Sequence, residues 1–140
     1  MLSFKLFCEQ LINGACMPSN KEVTKQELKE LEKVLDNLFS SLNIDIEFTK
    51  HFFDRLNDDR NKQQITVCEL QKVYTSLYQK HGIEIRDADD QLEELIKSIT
   101  TNINIPVHFN WNPKTKQLEM VAKTIMRKKE FKTSTKVLRV

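Results

Sequence analysis

Ile103-Asn104-Ile105-Pro106-Val107-His108-Phe109-Asn110-Trp111 is the stretch whose reading decides the fold. Apolar side chains recur at every second position, the period of a half-buried strand. Pro106 lacks an amide hydrogen, which predicts an edge strand or the first residues of one. Asn112-Pro113-Lys114-Thr115-Lys116 has hairpin-loop chemistry. Leu118, Met120 and Ala122 then alternate with Gln117, Glu119 and Val121, predicting a second strand from Gln117 to about Met126. Lys128-Lys129-Glu130 interrupts it, and Val137-Leu138-Arg139-Val140 predicts a last strand.

Upstream of this hairpin the period is helical. Thr24-Lys25-Gln26-Glu27 is a capping box, with Val23 placed to staple onto Leu28. Leu28, Leu31, Leu35, Leu38 and Leu42 form one apolar stripe, so a helix is predicted from about Lys25 to Leu42. Ile44-Asp45-Ile46-Glu47-Phe48 alternates as a strand. Thr66 and Glu69 make a second capping box, and Leu70, Val73, Tyr74, Leu77 and Tyr78 face a core. That helix is expected to run from Val67 to His81, with Gly82 as its stop. Asp87 or Asp89 is expected to cap a further helix carrying Leu92, Leu95, Ile96 and Ile99. The predicted class is α+β, with N-terminal helices packed on a C-terminal antiparallel β-sheet.

The 140 residues fit one domain. Phe4, Phe7 and Leu11 follow helical spacing, and Asn13 to Asn20 reads as a breaker. Residues 1–20 are therefore expected to be an appendage to a domain over 21–140. No apolar run approaches the roughly 20 residues of a membrane span. The first residues lack the pattern of a secretory signal. Cys8, Cys16 and Cys68 are an odd count without a CxxC pair. That argues against a disulfide and a zinc site and points to a reducing compartment.

Net charge is only +2, but Lys123, Arg127, Lys128, Lys129, Lys132, Lys136 and Arg139 crowd the end of the chain against Glu130. This predicts a polyanion-facing patch; a solvated basic tail accounts for the same pattern. With two glycines, a phosphate-cradling loop is nearly excluded, and no cofactor signature is present. Asp54, Asp58 and Asp59 lack calcium-loop spacing, so no metal site is expected. His81 reads as a structural histidine at a helix end and His108 as solvent-facing. Trp111 and Phe109 read as core.

The chemistry-bearing stretch is Phe48 to Asn61. His51 and Arg55 lie four apart and share a helix face; Arg60 falls beyond the helix on a loop. Metal-free RNA cleavage needs a proton acceptor, a proton donor and cations for the phosphorane. His51, Arg55, Arg60, Lys123, Thr124 and Arg127 have the right chemistry, although a surface histidine on an ordinary helix fits the same pattern.

Phe48-Thr49-Lys50-His51-x-x-x-Arg55-x-x-x-x-Arg60, followed by Ile65-Thr66-x-x-Glu69-Leu70, resembles the opening of small phage and toxin proteins of the barnase, colicin and RelE-like ribonuclease fold. Val121-Ala122-Lys123-Thr124-Ile125-Met126-Arg127-Lys128-Lys129-x-Phe131 resembles the closing strand of phage-encoded relatives. The resemblance implies RNA as partner, His51, Arg55, Thr124 and Arg127 as catalytic residues, and Arg60, Lys123 and Lys128 as phosphate contacts. Met1 to Glu9 resembles the head-targeting peptides of internal phage proteins. This second resemblance implies contact with a capsid or prohead protease, a cut after Glu9, and residence in host cytoplasm or the virion interior. The expected function is a metal-independent endoribonuclease-like phage protein. The alternatives are a non-catalytic virion or interaction protein with the same fold, and a small nucleic-acid-binding regulator.

Overall fold

The computed structural model describes residues 11–12 and 15–140; the expected head-targeting segment Met1–Glu9 lies outside them. The chain begins with a small antiparallel pair, β1 (Leu11–Ile12) and β2 (Ala15–Cys16). It continues through α1 (Lys25–Phe39), β3 (Ile44–Phe48), α2 (Lys50–Leu56) and α3 (Val67–Arg86). The remaining strands are β4 (Glu93–Lys97), β5 (Ile103–Asn112), β6 (Gln117–Ala122), β7 (Met126–Arg127) and β8 (Lys136–Arg139). The main sheet has the order β3-β6-β5-β4-β8, with β7 also on β5. The class is α+β, with the helices ahead of most strands. The sheet is mixed: β3 runs parallel to β6 and β8 parallel to β4, while the central pairs are antiparallel.

Both capping boxes form as their residues dictate. Thr24 accepts from the Glu27 amide and Glu27 reaches back, and Thr66 and Glu69 do the same. Leu28, Leu31 and Leu35 of α1 and Leu70, Tyr74 and Leu77 of α3 meet Ile44, Ile105, Phe109 and Met120 of the sheet in one core. No helix among the described residues is long and apolar enough to cross a membrane.

Several expectations change. The stretch expected to be a helix around Leu92 to Ile99 is β4. Leu95 and Ile96 are both buried, so this strand is covered on both faces and loses its alternation. Asp87 follows the end of α3, and Asp90 accepts from the Trp111 amide; these acids close a turn rather than start a helix. Trp111 is 44% exposed at the hairpin end, outside the core.

Pro106 lies on the central strand β5, opposite Leu95 of β4. Its carbonyl accepts from the Lys123 amide, so its nitrogen faces the β6 side. The reciprocal bond to the Lys123 carbonyl cannot form, because proline has no donor. The Thr49 hydroxyl fills that acceptor at 3.0 Å. Strand β6 therefore ends at Ala122, short of the expected Met126, and pairing with β5 resumes at β7.

Cys16 and Cys68 form a disulfide, with Cα atoms 5.8 Å apart. This overturns the expectation from the cysteine count and removes the basis for a reducing compartment. An odd count says nothing about which pair the fold brings together. The bond ties the β1–β2 pair to α3, so residues 16–20 are joined to the domain rather than hung from it. Closing a span of 52 residues contributes about 4 kcal/mol by the loop-entropy relation.

Helix α3 passes through Gly82 and ends at Arg86, because buried Ile85 anchors one more turn. A Cβ at Gly82 would meet only the Leu42 side chain, at 3.6 Å. Gly82→Ala is therefore expected to raise stability by roughly 0.5–1 kcal/mol, through lower unfolded-state entropy. A urea midpoint that moves downward contradicts this placement.

Candidate nucleic-acid interface

Helix α2 is short, and its position is set by polar bonds at both ends. At its start Thr49 accepts from the Phe52 amide while its hydroxyl donates to the Lys123 carbonyl. Phe52 and Leu56 bury one side. At its end the buried Asn61 amide donates to the Arg55 and Leu56 carbonyls, and its oxygen accepts from the Arg127 amide at 2.9 Å. The two seams, Thr49–Lys123 and Asn61–Arg127, lay α2 and its following turn along residues 122–127. The early and late halves of the expected site thus adjoin through side-chain-to-backbone bonds.

Their side chains do not all converge. His51 is exposed, and its Nε2 accepts from Arg55 Nε at 3.4 Å. Arg55 Nη1 also donates to Asp58 Oδ2 at 2.9 Å, and Arg60 reaches the same oxygen through Nη2 at 3.2 Å and Nε at 3.3 Å. Two guanidinium groups thus meet on one carboxylate, whose other oxygen accepts from the Arg60 amide. Thr124 is half-buried beside buried Ile125. Lys123 pairs with Glu93 at 3.1 Å, and Lys128 is exposed.

Arg127 does something else. Its Nη1 and Nη2 form a bidentate pair with Glu69 at 3.0 and 2.8 Å. The remaining donors go to the carbonyls of Thr101, Gln64 and Gln63. All five guanidinium hydrogens are used inside the protein. The Arg127 and Glu69 side chains are 12% and 13% exposed, so this pair lies in the interior and leaves no donor for a phosphate.

The other histidines are held by neighbours. His81 Nε2 contacts the Arg139 carbonyl at 2.8 Å, five residues before the helix ends rather than at its end. His108 Nε2 contacts Gln91 Oε1 at 3.0 Å. Asn104, fully buried, donates to the carbonyls of Asn102, Met126 and Lys128 and fixes the late segment.

A second electrostatic feature lies at the edge strand β3. Asp36 and Glu32, one turn apart on α1, accept from the amides of Ile46 and Phe48. These are edge amides that a free strand would offer to another chain. Across the strand, the carboxylates of Asp45, Glu47 and Glu119 lie within 4.8 Å of one another. They are the described residues with spacing suited to a cation; Asn110 and Asn112 donate to Glu119 and orient it. Burial, with Asp45 and Glu32 adding repulsion, pushes the Asp36 carboxyl up to about 7. Burial, followed by the charges of Asp45, Glu32 and Glu119, does the same for Glu47, also to about 7. Glu32 is raised as well, chiefly by burial.

Sequence reasoning missed Thr49, Asp58 and Asn61. Thr49 has a legible signal, a threonine directly before a helix. Asp58 lies three residues beyond Arg55, a spacing that allows pairing. Asn61 carries no local signal, because its partners are distant. Comparison with family models, curated proteins and solved structures finds no match for this chain.

The raised carboxyls give a signed pH dependence. A carboxyl with a folded value near 7 binds its proton more tightly in the fold than in the unfolded chain, where the value is about 4. Its stabilising effect is complete below about pH 4 and is lost as pH rises through about 7. Glu84 and Glu93, lowered by Lys136 and Lys123, act in the opposite sense, but at acid pH. The melting temperature is expected to fall by roughly 3 °C or more between about pH 5 and pH 8. Asp36→Asn should flatten that slope; a melting temperature that rises over this range contradicts the cluster's role.

Proposed function

We propose that this chain is an RNA-binding protein whose contact surface is α2, the turn that follows it and residues 122–128. The observation that carries the reading is the pair of seams, Thr49–Lys123 and Asn61–Arg127, that join these two cation-bearing segments. Lys50, His51, Arg60, Lys123 and Lys128 are exposed on the joined segments, and Arg55 is partly so. Phosphate groups bind such surfaces by releasing counterions, without a preformed cleft. Asp58 holds the guanidinium groups of Arg55 and Arg60 close together, which lowers the entropy cost of gripping one phosphate. A cavity of about 370 Å³ adjoins Lys50; Lys25, Lys29, Phe48 and Phe53 line it, together with the carboxyl groups of Glu32 and Glu47. Single-stranded RNA suits a short helix with exposed cations and partly buried rings better than a duplex groove does.

A second reading, metal-independent RNA cleavage, is favoured by one observation. His51 is exposed and its Nε2 lies 3.4 Å from Arg55 Nε, so an imidazole and a cation adjoin on the surface. Arg127 does not support this reading, since its donors are satisfied internally. Without it, stabilisation of the phosphorane would fall to Arg55 and Arg60.

Both readings are tested in one experiment. Labelled single-stranded RNA is titrated with the protein at increasing salt and with chelator present, and the RNA is then resolved by size. Binding should weaken steeply with salt, and Arg55→Glu/Arg60→Glu should cost about tenfold or more in affinity. Uncut RNA supports binding alone; products lost in His51→Ala support cleavage. No salt-dependent binding by folded protein contradicts both.

A further inference from the structure

The Cys16–Cys68 disulfide lies where thiol chemistry is favoured rather than sealed in the core. Cys68 is 2% exposed, while Cys16 is partly buried. Cys16 forms part of the wall of a cavity of about 480 Å³, together with Glu69, Lys72, Ser76 and Lys80 of α3. Lys72, Ser76 and Lys80 follow one another at four-residue steps and so share the helix face beside the disulfide. The carboxylate in this wall, Glu69, is neutralised by Arg127. Lys80 is exposed and lines the same cavity as Cys16, so an ammonium group stands on the wall from which Cys16 is reached.

Cys68 adds a second element. It is the second residue of α3, a helix of 20 residues. Partial positive charge from the free amides of a helix start stabilises a thiolate there. Exchange at a disulfide is faster when the departing sulfur is the better thiolate. Cys16 is thus the accessible sulfur and Cys68 the better leaving group.

We propose that Cys16–Cys68 is a redox-active disulfide, opened in the folded protein by a dithiol reductant that attacks Cys16. The attacking thiolate forms a bond to Cys16 Sγ, the Cys16–Cys68 bond breaks, and Cys68 leaves as a thiolate. The second thiol of the reductant then displaces Cys16 and closes the reductant's own disulfide. Two electrons and two protons pass from the dithiol to the protein, which ends with two thiols. Opening the bond removes the covalent tie of residues 15–20 to α3. Core residues on α1, α3 and the sheet do not depend on it, since they pack in one continuous cluster. The chain then has two folded forms, strapped and unstrapped, selected by the surrounding thiol potential.

The test uses the full chain carrying Cys8→Ser, which prevents exchange with the third cysteine, after air oxidation. Dithiothreitol is added without denaturant, thiols are alkylated and counted by mass spectrometry, and near-ultraviolet circular dichroism reports packing. The proposal expects two new thiols with the dichroism retained, and faster amide exchange in residues 16–23. It also expects Lys80→Gln to slow reduction by about twofold or more, with the urea midpoint of its oxidised form unchanged. The proposal is overturned if no intramolecular disulfide forms, if reduction requires denaturant, or if reduction abolishes the dichroism. A lysine variant reduced at the parent rate also overturns the assigned mechanism.

Discussion

The bidentate pair between Arg127 and Glu69 is the interaction on which the arrangement depends. It joins the first turn of α3 to β7, 58 residues away. Glu69 closes the capping box of α3 with the same carboxylate. Arg127 also binds the carbonyls of Gln63, Gln64 and Thr101, which belong to two separate turns. One guanidinium therefore fixes the start of the longest helix, the turn before it, the turn before β5 and the short strand β7. Charge burial of this kind is tolerated because every donor is matched. The same saturation removes Arg127 from contact chemistry, and this weighs the surface toward binding rather than cleavage.

Pro106 supplies the other constraint. A proline in a central strand leaves one carbonyl of its partner without a donor. Here that carbonyl belongs to Lys123, and the hydroxyl of Thr49 satisfies it while also capping α2. The break in pairing that proline forces is the place where α2 docks. The defect in the sheet and the position of His51 and Arg55 share one cause.

Much of this was legible from local patterns. The two capping boxes, the β5–β6 hairpin and the stripe on α1 need only neighbouring residues; the boxes form as read, while β6 stops at Ala122 and α1 at Phe39, each short of its expected end. β4 misled because Leu92, Leu95, Ile96 and Ile99 match helical spacing, while a strand buried on both faces shows no alternation. Gly82 resembled a stop because glycine commonly ends helices, yet Ile85 and Leu42 supply packing that carries the helix onward. At the candidate site, the adjacency of His51 and Arg55 was readable from their spacing. The commitment of Arg127 to Glu69 was not, since both residue types suit a phosphate site as well as an ion pair. The disulfide was hidden for a similar reason: pairing depends on where the chain returns, and no local period records that.

The central claim is that Arg127 is a structural tie and not a free cation. A double-mutant cycle with Glu69→Gln and Arg127→Met, read by urea denaturation, measures it directly. The expected coupling is about 2 kcal/mol or more, as for a matched interior pair. A coupling below about 0.5 kcal/mol would show that the two side chains act independently and contradict the account.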